Sequence, residues 1–465
     1  MIGYGYERQD PLAPGLRICH AQAFAFEVHR CYFIPIQLID RAELPGRVAA
    51  LGRDGGSEDT TREAVSRILE EVRRDGTVAL FRLTEQFDGV RLDETTFRVD
   101  PGAARAALAA LRAENPRLLA DLEGMVARIR AFAEAQKAAL GDVALDLPGG
   151  GLARERWLPL GTAGVYIPGG RAFYPSTLAM TVIPAQVAGV GRIVGVTPPK
   201  PEGPDPLVLA TAALLGLEEL YTVGGAQAVA WLVHGEPGAD LVAGPGNRFV
   251  AEAKRQLMGR CGIDALAGPS EVLILADAGA DPATLAEDLL AQAEHDPDAA
   301  AVLVSADRSL LEAVAAELEG RVAASPRRAI LEASLGRHGR LFQADRELAI
   351  AFAQAWAPEH LELAVADPQA WLPRLTTAAA LFLGPATAEV FGDYGAGPNH
   401  VLPTGGTGRF SSPLGVATFM KRQTVLELGP ALARTLAPQV ARLAEAEGLP
   451  HHAASARRRA HHPHP

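Results

Sequence analysis

Cysteine is scarce: Cys19, Cys31 and Cys261 are the only three in 465 residues, and none share a CxxC spacing. That excludes a disulfide framework and a thiolate zinc site, so any metal falls to nitrogen and oxygen ligands. A reducing cytoplasm is the expected setting. No apolar run approaches the roughly 20 residues that span a bilayer. The apolar AQAFAF stretch runs at once into Glu27, His29 and Arg30, which makes a poor signal peptide. Positive charge is also short, with 44 Lys and Arg against 55 Asp and Glu for a net charge of −11. No element carries a basic stripe, which argues against a nucleic-acid partner. A Gly-x-Gly-x-x-Gly fingerprint between strand and helix is missing too. Gly189-Val190-Gly191 lies at a helix-to-strand turn, the wrong direction for cradling a pyrophosphate. Any dinucleotide must therefore be held in a non-standard way.

What is present is an ordinary globular composition, 48% hydrophobic and 21% charged, in a chain long enough for at least two domains. Residues 1–40 are aromatic and proline-broken without a clean period, and read as an extension of uncertain order. From Glu58, Ala64, Val65, Ile68, Leu69 and Val72 recur at helical spacing up to a stop at Gly76. A second helical block covers Pro101 to Gly141. Past Arg154 the pattern becomes strand, turn, helix, repeated. Strands are expected at 165–167, 192–196, 220–223, 241–242, 272–275, 301–304, 360–365 and 381–383, with helices between them. That alternation predicts parallel sheets with crossover helices, an α/β fold. A helical tail is expected from Leu432 to Glu447, with a disordered HHPHP end.

The chemistry-bearing residues sit at element ends. In Asp281–Pro297, Asp281 caps a helix whose Leu285, Leu289 and Leu290 face inward, and Gln292 and His295 share its last turn. Ala-Gly-Pro occurs three times, at Ala243, Ala267 and Ala396, each followed closely by a polar group: Asn247, Ser270, and Asn399 with His400. Such turns lie at the carboxyl ends of strands, where open α/β sheets bind ligands. Pro358-Glu359-His360 presents a carboxylate and an imidazole at a turn before a strand, a pair suited to proton transfer. Phe391 to His400 brings Asp393 and His400 into a glycine-rich turn, and the tail adds Glu447, His451 and His452. Gln292, His295, Asp393 and one tail histidine form a sulfur-free set that suits Zn²⁺ and would accept Mn²⁺ or Co²⁺. Each feature also has an ordinary structural reading as a helix end, a Gly-Pro turn or a surface dipeptide.

Taken together the segments resemble the histidinol dehydrogenase family. The match rests on GVYIPGGRAFYPST, VGGAQAVAWL, AGPGNRFVAEAKRQ, GIDALAGPSEVLILAD, LLAQAEHDPDA, APEHLEL, GDYGAGPNHVLPTGGTGRFSSPLGVATFMKR and EGLPHH, in family order from about residue 55 to the tail. The resemblance implies two incomplete Rossmann-like parallel-sheet domains, a helical N-terminal region and a small helical tail. The expected division is an extension over 1–40, a first domain of 41–162 plus 272–414, a second of 163–271, and a dimer-completing segment over 415–465.

It further implies a zinc- and NAD-dependent enzyme oxidising L-histidinol through L-histidinaldehyde to L-histidine with two NAD⁺, the last steps of histidine biosynthesis. The zinc ligands would be Gln292, His295, Asp393 and His452, the last chosen over His451 because the family places this histidine five residues after a glutamate, here Glu447. Glu359 and His360 would be the catalytic pair. Histidinol would be contacted by Ser270, His400 and Glu447, by His360, and by the zinc-site residues. Tyr166, Gln227 and Asn247 would contact NAD. Zinc would hold the imidazole and amino nitrogens of histidinol, and a homodimer would share each site between subunits. Three alternatives compete: a relative that oxidises another small alcohol such as sulfopropanediol, a zinc hydrolase with Glu359 as base, and a non-catalytic binding protein. Specific activity on histidinol against sulfopropanediol separates the first, failure of histidinol to yield NADH would favour the second, and Glu359→Gln and His360→Asn leaving every activity untouched would mark the third.

Overall fold

The computed structural model describes residues 34–51, 59–169 and 175–461. The aromatic stretch before residue 34, with Cys19 and Cys31, and the last four residues lie outside them. In chain order the first elements are β1 (Ile36–Leu38), α1 (Leu44–Ala49), α2 (Asp59–Asp88), α3 (Pro101–Glu114), α4 (Pro116–Ala139), β2 (Val143–Asp146) and β3 (Gly151–Pro159). Gly76 ends the first segment of α2 with φ 58° and ψ −134°, and a second segment follows directly to Asp88. The block expected as one helix over 101–141 is two. Pro116 disfavours helical backbone at Asn115, which instead caps α4 through its side chain on the Leu118 amide.

A five-stranded sheet follows, made of β4 (Thr162–Tyr166), β5 (Arg192–Val196), β6 (Glu219–Tyr221), β7 (Leu241–Ala243) and β8 (Gly262–Ile263). Between the strands run α5 (Pro175–Ala188), α6 (Pro206–Leu215), α7 (Gly225–His234) and α8 (Arg248–Leu257). The order is β6-β5-β4-β7-β8 and every pairing is parallel. The chain winds outward in one direction from β4 and then resumes on its other side with β7. The reversal leaves a crevice beyond the carboxyl ends of β4 and β7.

A six-stranded sheet is built from β1 with β9 (Glu271–Ala276), β10 (Ala300–Ser305), β11 (Arg340–Gln343), β12 (His360–Ala364) and β13 (Ala380–Leu383). Its helices are α9 (Pro282–Ala293), α10 (Arg308–Ala324), α11 (Arg328–His338) and α12 (Arg346–Trp356). The order is β1-β11-β10-β9-β12-β13, again wholly parallel. Thus Ile36–Leu38, inside the stretch read as an extension, is an edge strand of this sheet. β9, β10 and most of β12 are buried on both faces, as strands covered by helices on each side must be.

Of the N-terminal helices, α1 packs on α12 beside the six-stranded sheet, whereas α2, α3 and α4 pack on the smaller sheet rather than on the one with which the sequence reading grouped them. α2 lies against α7 and α8, α3 against α6, and α4 against α5. Phe97, Tyr221 and Trp231 stack there with centroids 4.8–4.9 Å apart. Each such pair contributes about 0.5–1.5 kcal/mol beyond its buried area.

The remaining elements are α13 (Glu389–Tyr394), β14 (Met420–Leu428), α14 (Pro430–Ala446) and α15 (Pro450–His461). β14 runs antiparallel to β3, which also pairs with β2, giving a third sheet absent from the sequence reading. α14 and α15 fold back on each other about Ala441, Ala444 and Ala453. The helical tail therefore continues past Glu447 into a second helix. No helix among the described residues is long and apolar enough to cross a membrane.

Candidate active site and metal centre

α9 starts as its sequence dictates, with Asp281 accepting from the Thr284 amide and Pro282 in the first turn. It stops earlier than expected. Ala293 is its last residue, Glu294 caps it, and His295 follows on a turn whose amide donates to the Gln292 carbonyl at 3.2 Å. Gln292 is fully buried, whereas His295 keeps a surface open to solvent. Atoms crowding the His295 ring still hold its pKa below the usual imidazole range by desolvation.

Asp393 sits on a short helix, not in the glycine-rich turn expected from its neighbours. α13 places Glu389 one turn before it, so the two carboxyls share a face. Donor atoms of His295, Glu389 and Asp393 all lie within 4.8 Å of one another. Glu389 was missed in the sequence reading; its position four residues before Asp393 becomes a signal only once the short helix is known. Burial lifts the Asp393 carboxyl to about 6. Glu389 is raised well above the usual range by burial and then by the neighbouring charges of Asp393, Glu362, Glu359 and Asp288.

The turn between α12 and β12 carries Glu359 and His360, the pair read from the sequence as suited to proton transfer. Ala357 adopts φ 49°, the left-handed region, and closes α12 with its amide donating to the Ala353 oxygen, while Pro358 keeps the helix from continuing. Such backbone costs about 1–2 kcal/mol for a residue with a Cβ. Glu359 and His360 then enter the site nearly buried, at 5% exposure each. The Glu359 carboxylate accepts from the Glu271 amide at 3.0 Å. Desolvation raises it well above the ordinary carboxylate range, against the lowering effect of that bond and of one from Ser270. His360 Nδ1 lies 3.1 Å from the Glu271 carbonyl oxygen, 3.7 Å from Glu359 and 3.6 Å from Glu389. Burial pushes its pKa down to about 3, so the ring is neutral at pH 7.

His400 joins the same cluster. Its Nδ1 is 3.1 Å from the Asp393 carbonyl oxygen and its Nε2 is 3.2 Å from Thr177 Oγ1 on α5. Burial lowers it to about 4. Ser270, Gln292, His295, Glu359, His360, Asp393 and His400 are therefore drawn together by direct contacts or by shared neighbours. Glu447 and His452 are not: both are exposed on the α14–α15 hairpin, and within one chain neither joins the donor cluster. His451 is exposed beside His452.

The three residues read as nucleotide contacts lie at the carboxyl ends of the five-stranded sheet. Tyr166 ends β4, and its hydroxyl accepts from the Gly225 amide at 3.0 Å. Burial raises that phenol to about 12. Gln227 is buried in the first turn of α7 and donates to Asp88 at 3.3 Å. Asn247 caps α8, accepting from the Phe249 and Val250 amides. Gly244 crosses β4 so closely that a Cβ there would sit 2.1 Å from the Tyr166 oxygen.

A buried pair ties this loop to the catalytic side. Lys254 Nζ donates to the Gly244 oxygen at 3.0 Å and to Asp264, while Asp264 accepts from the Gly244 amide at 2.7 Å. Six residues after Asp264 comes Ser270, beside Glu359.

The donor set fits a divalent cation. It offers imidazole and carboxylate oxygen without sulfur, a composition that zinc shares with manganese and cobalt. The carboxylates crowd one another in a buried volume, and a cation there would offset that repulsion.

The family model described as histidinol dehydrogenase matches residues 52–460. The histidinol dehydrogenase of Thermosynechococcus vestitus is 44% identical over 429 residues, 91% of this chain and 98% of that one. That of Halalkalibacterium halodurans is 44% identical over 400 residues, covering 85% and 93%. A crystal structure of histidinol dehydrogenase from Elizabethkingia anophelis superimposes with a TM-score of 0.85 at 31% identity, covering 93% of this chain and 98% of that one.

Proposed function

The chain belongs to the histidinol dehydrogenase family, and we propose that it oxidises L-histidinol to L-histidine by way of bound L-histidinaldehyde, reducing two NAD⁺. The observation that carries this reading is the neutral, anchored His360 beside Glu359, close to a cluster of metal-type donors.

Gln292, His295 and Asp393 would hold zinc, with His452 of a second subunit as the fourth protein ligand. When bound, zinc would supply orientation by holding the imidazole and amino nitrogens of histidinol. Nothing more is asked of it, since proton transfer falls to the chain's own residues. A carbonyl only accepts, so the bond to Glu271 commits His360 Nδ1 to carrying the proton and leaves Nε2 as a base. That nitrogen takes the hydroxyl proton of histidinol as hydride leaves for NAD⁺, giving the aldehyde, NADH and a proton. Glu359, made a stronger base than a solvent-exposed carboxylate by its burial, takes a proton from the water that adds to the aldehyde. Hydride then leaves the hydrate for a second NAD⁺, giving the acid, a second NADH and another proton. Tyr166, Gln227 and Asn247 would line the nucleotide site at the β4/β7 crevice, and Ser270, His400 and Glu447 would contact histidinol.

A homodimer accounts for the stranded tail. Val143, Leu145, Leu426 and Leu443 are all exposed around the third sheet and the α14–α15 hairpin, an apolar surface of the kind that pairs subunits. The partner's hairpin would then bring Glu447 and His452 to this subunit's cluster. One assay tests the function: histidinol with NAD⁺, with and without a chelator. Two NADH per histidinol, lost on chelation and regained with zinc, is the expected result. Absence of NADH, or equal rates with sulfopropanediol, would overturn it.

A further inference from the structure

Gln292 is an awkward metal ligand. Its amide has an oxygen that can ligate and a nitrogen of nearly the same size that cannot, and the terminal torsion favours neither. In the orientation that satisfies its surroundings, Nε2 donates to both carboxylate oxygens of Glu389 at 3.2 Å. The reverse orientation would press the amide oxygen against those same two oxygens. Neither group is open to bulk water to compensate, Gln292 being 0% and Glu389 3% exposed. Glu389 is itself pinned: α13 fixes it one turn from Asp393, and its amide donates to Glu362 at 2.6 Å.

We propose that Glu389 is a positioning residue of the metal centre, locking the Gln292 amide so that Oε1 rather than Nε2 faces the cation. When ionised, as a cation bound beside it would favour, the Glu389 carboxylate only accepts, so it draws the NH₂ group toward itself. The inference rests on the reading that Gln292, His295 and Asp393 bind a metal. It assigns Glu389 a role outside the ligand set even though its own oxygens lie near those of Asp393. Partners of metal ligands that set their orientation typically contribute 10- to 100-fold in affinity.

The test uses the full-length protein and two variants, Glu389→Ala and Glu389→Gln. Zinc affinity is read by competition with a chromophoric chelator, and coordination by the absorption bands of the Co²⁺-loaded form. Glu389→Ala, which frees the amide to rotate, is expected to weaken zinc binding about 10- to 100-fold. Glu389→Gln, of the same size and still able to accept through one oxygen, is expected to lose less and to leave the Co²⁺ bands unchanged. It also keeps the question open to measurement if the alanine variant does not fold. Wild-type affinity in both variants would reduce the contact to packing and overturn the proposal. It would equally be overturned if Glu389→Gln lost as much affinity as His295→Ala with altered Co²⁺ bands, which would make Glu389 a ligand. Should the wild-type protein bind no zinc in the same titration, the metal reading itself fails, whatever the variants do.

Discussion

The ring of His360 is fastened to the backbone of Glu271: Nδ1 meets the carbonyl oxygen at 3.1 Å, and the Glu271 amide in turn donates to the Glu359 carboxylate. One residue of β9 thus sets both the tautomer of the imidazole and the position of the carboxylate. The two groups titrate away from each other because burial disfavours charge on either, lowering His360 to about 3 and raising Glu359.

Under the proposed reaction, that arrangement would separate the two oxidations. Glu359→Gln keeps the hydrogen bond to the Glu271 amide but removes the base for aldehyde hydration. In a single turnover it should yield about one NADH per site instead of two, with the second step slowed by about 10²–10⁴-fold. His360→Asn should slow the first step by a similar factor while retaining zinc. Rapid-mixing absorbance at 340 nm distinguishes them, and a Glu359→Gln burst of two NADH would refute the division of labour.

As a ligand of the proposed zinc site, Asp393 would govern how metal uptake depends on pH. With its carboxyl pushed up to about 6 by burial, the metal-free protein holds a proton there below that pH. Zinc must displace it, so apparent affinity should fall as pH drops through about 6, by up to tenfold per unit. His295 is held below 6.5 and adds no competition above that value. Chelator competition between pH 5 and 8 measures the slope, and the same slope in Asp393→Asn would show that the proton belongs elsewhere.

The buried Lys254–Asp264 pair makes a prediction about folding. Both side chains are under 4% exposed and both clamp Gly244. Lys254→Met leaves Asp264 buried without its cation and should cost about 3–5 kcal/mol in denaturant unfolding. Lys254→Met with Asp264→Asn should recover much of that loss. Since Gly244 leads to Asn247, the double variant should still show a raised KM for NAD⁺ with kcat little altered. A single variant of wild-type stability would mean that the pair is not holding the loop.

Legibility from sequence followed the locality of the contacts. Eight of the eleven strands in the two parallel sheets announced themselves as short apolar runs, because helices cover the central ones on both faces, whereas β1, β8 and β11, two to four residues long, did not. β3 and β14 gave no such signal: apart from Met420 their side chains are half-buried or exposed, and they pair with each other across about 270 residues. Glu389 was hidden because a helix of six residues leaves too little periodicity to detect next to so many glycines. The end of α9 was misplaced because Asp296-Pro297 looked like the stop, whereas the helix had already closed at Glu294. The catalytic turn was readable because Pro358 dictates backbone locally, but the anchoring of His360 on Glu271 depends on β9 and β12 lying side by side.

The exposed tail gives the sharpest test of a shared site. Glu359 and His360 lie in the core of one subunit, while His452 projects from a hairpin that does not reach its own cluster. If each site draws its tail from the partner, Glu359→Gln and His452→Ala subunits should complement one another. In a mixed dimer, one site collects both defects and the other collects neither. Each homodimer alone should be nearly inactive, and co-expression should restore activity toward half the wild-type value per mixed dimer. His451→Ala in place of His452→Ala should be active without complementation. A tail acting within its own chain predicts no recovery on mixing, because every subunit would then carry one lesion in its own site.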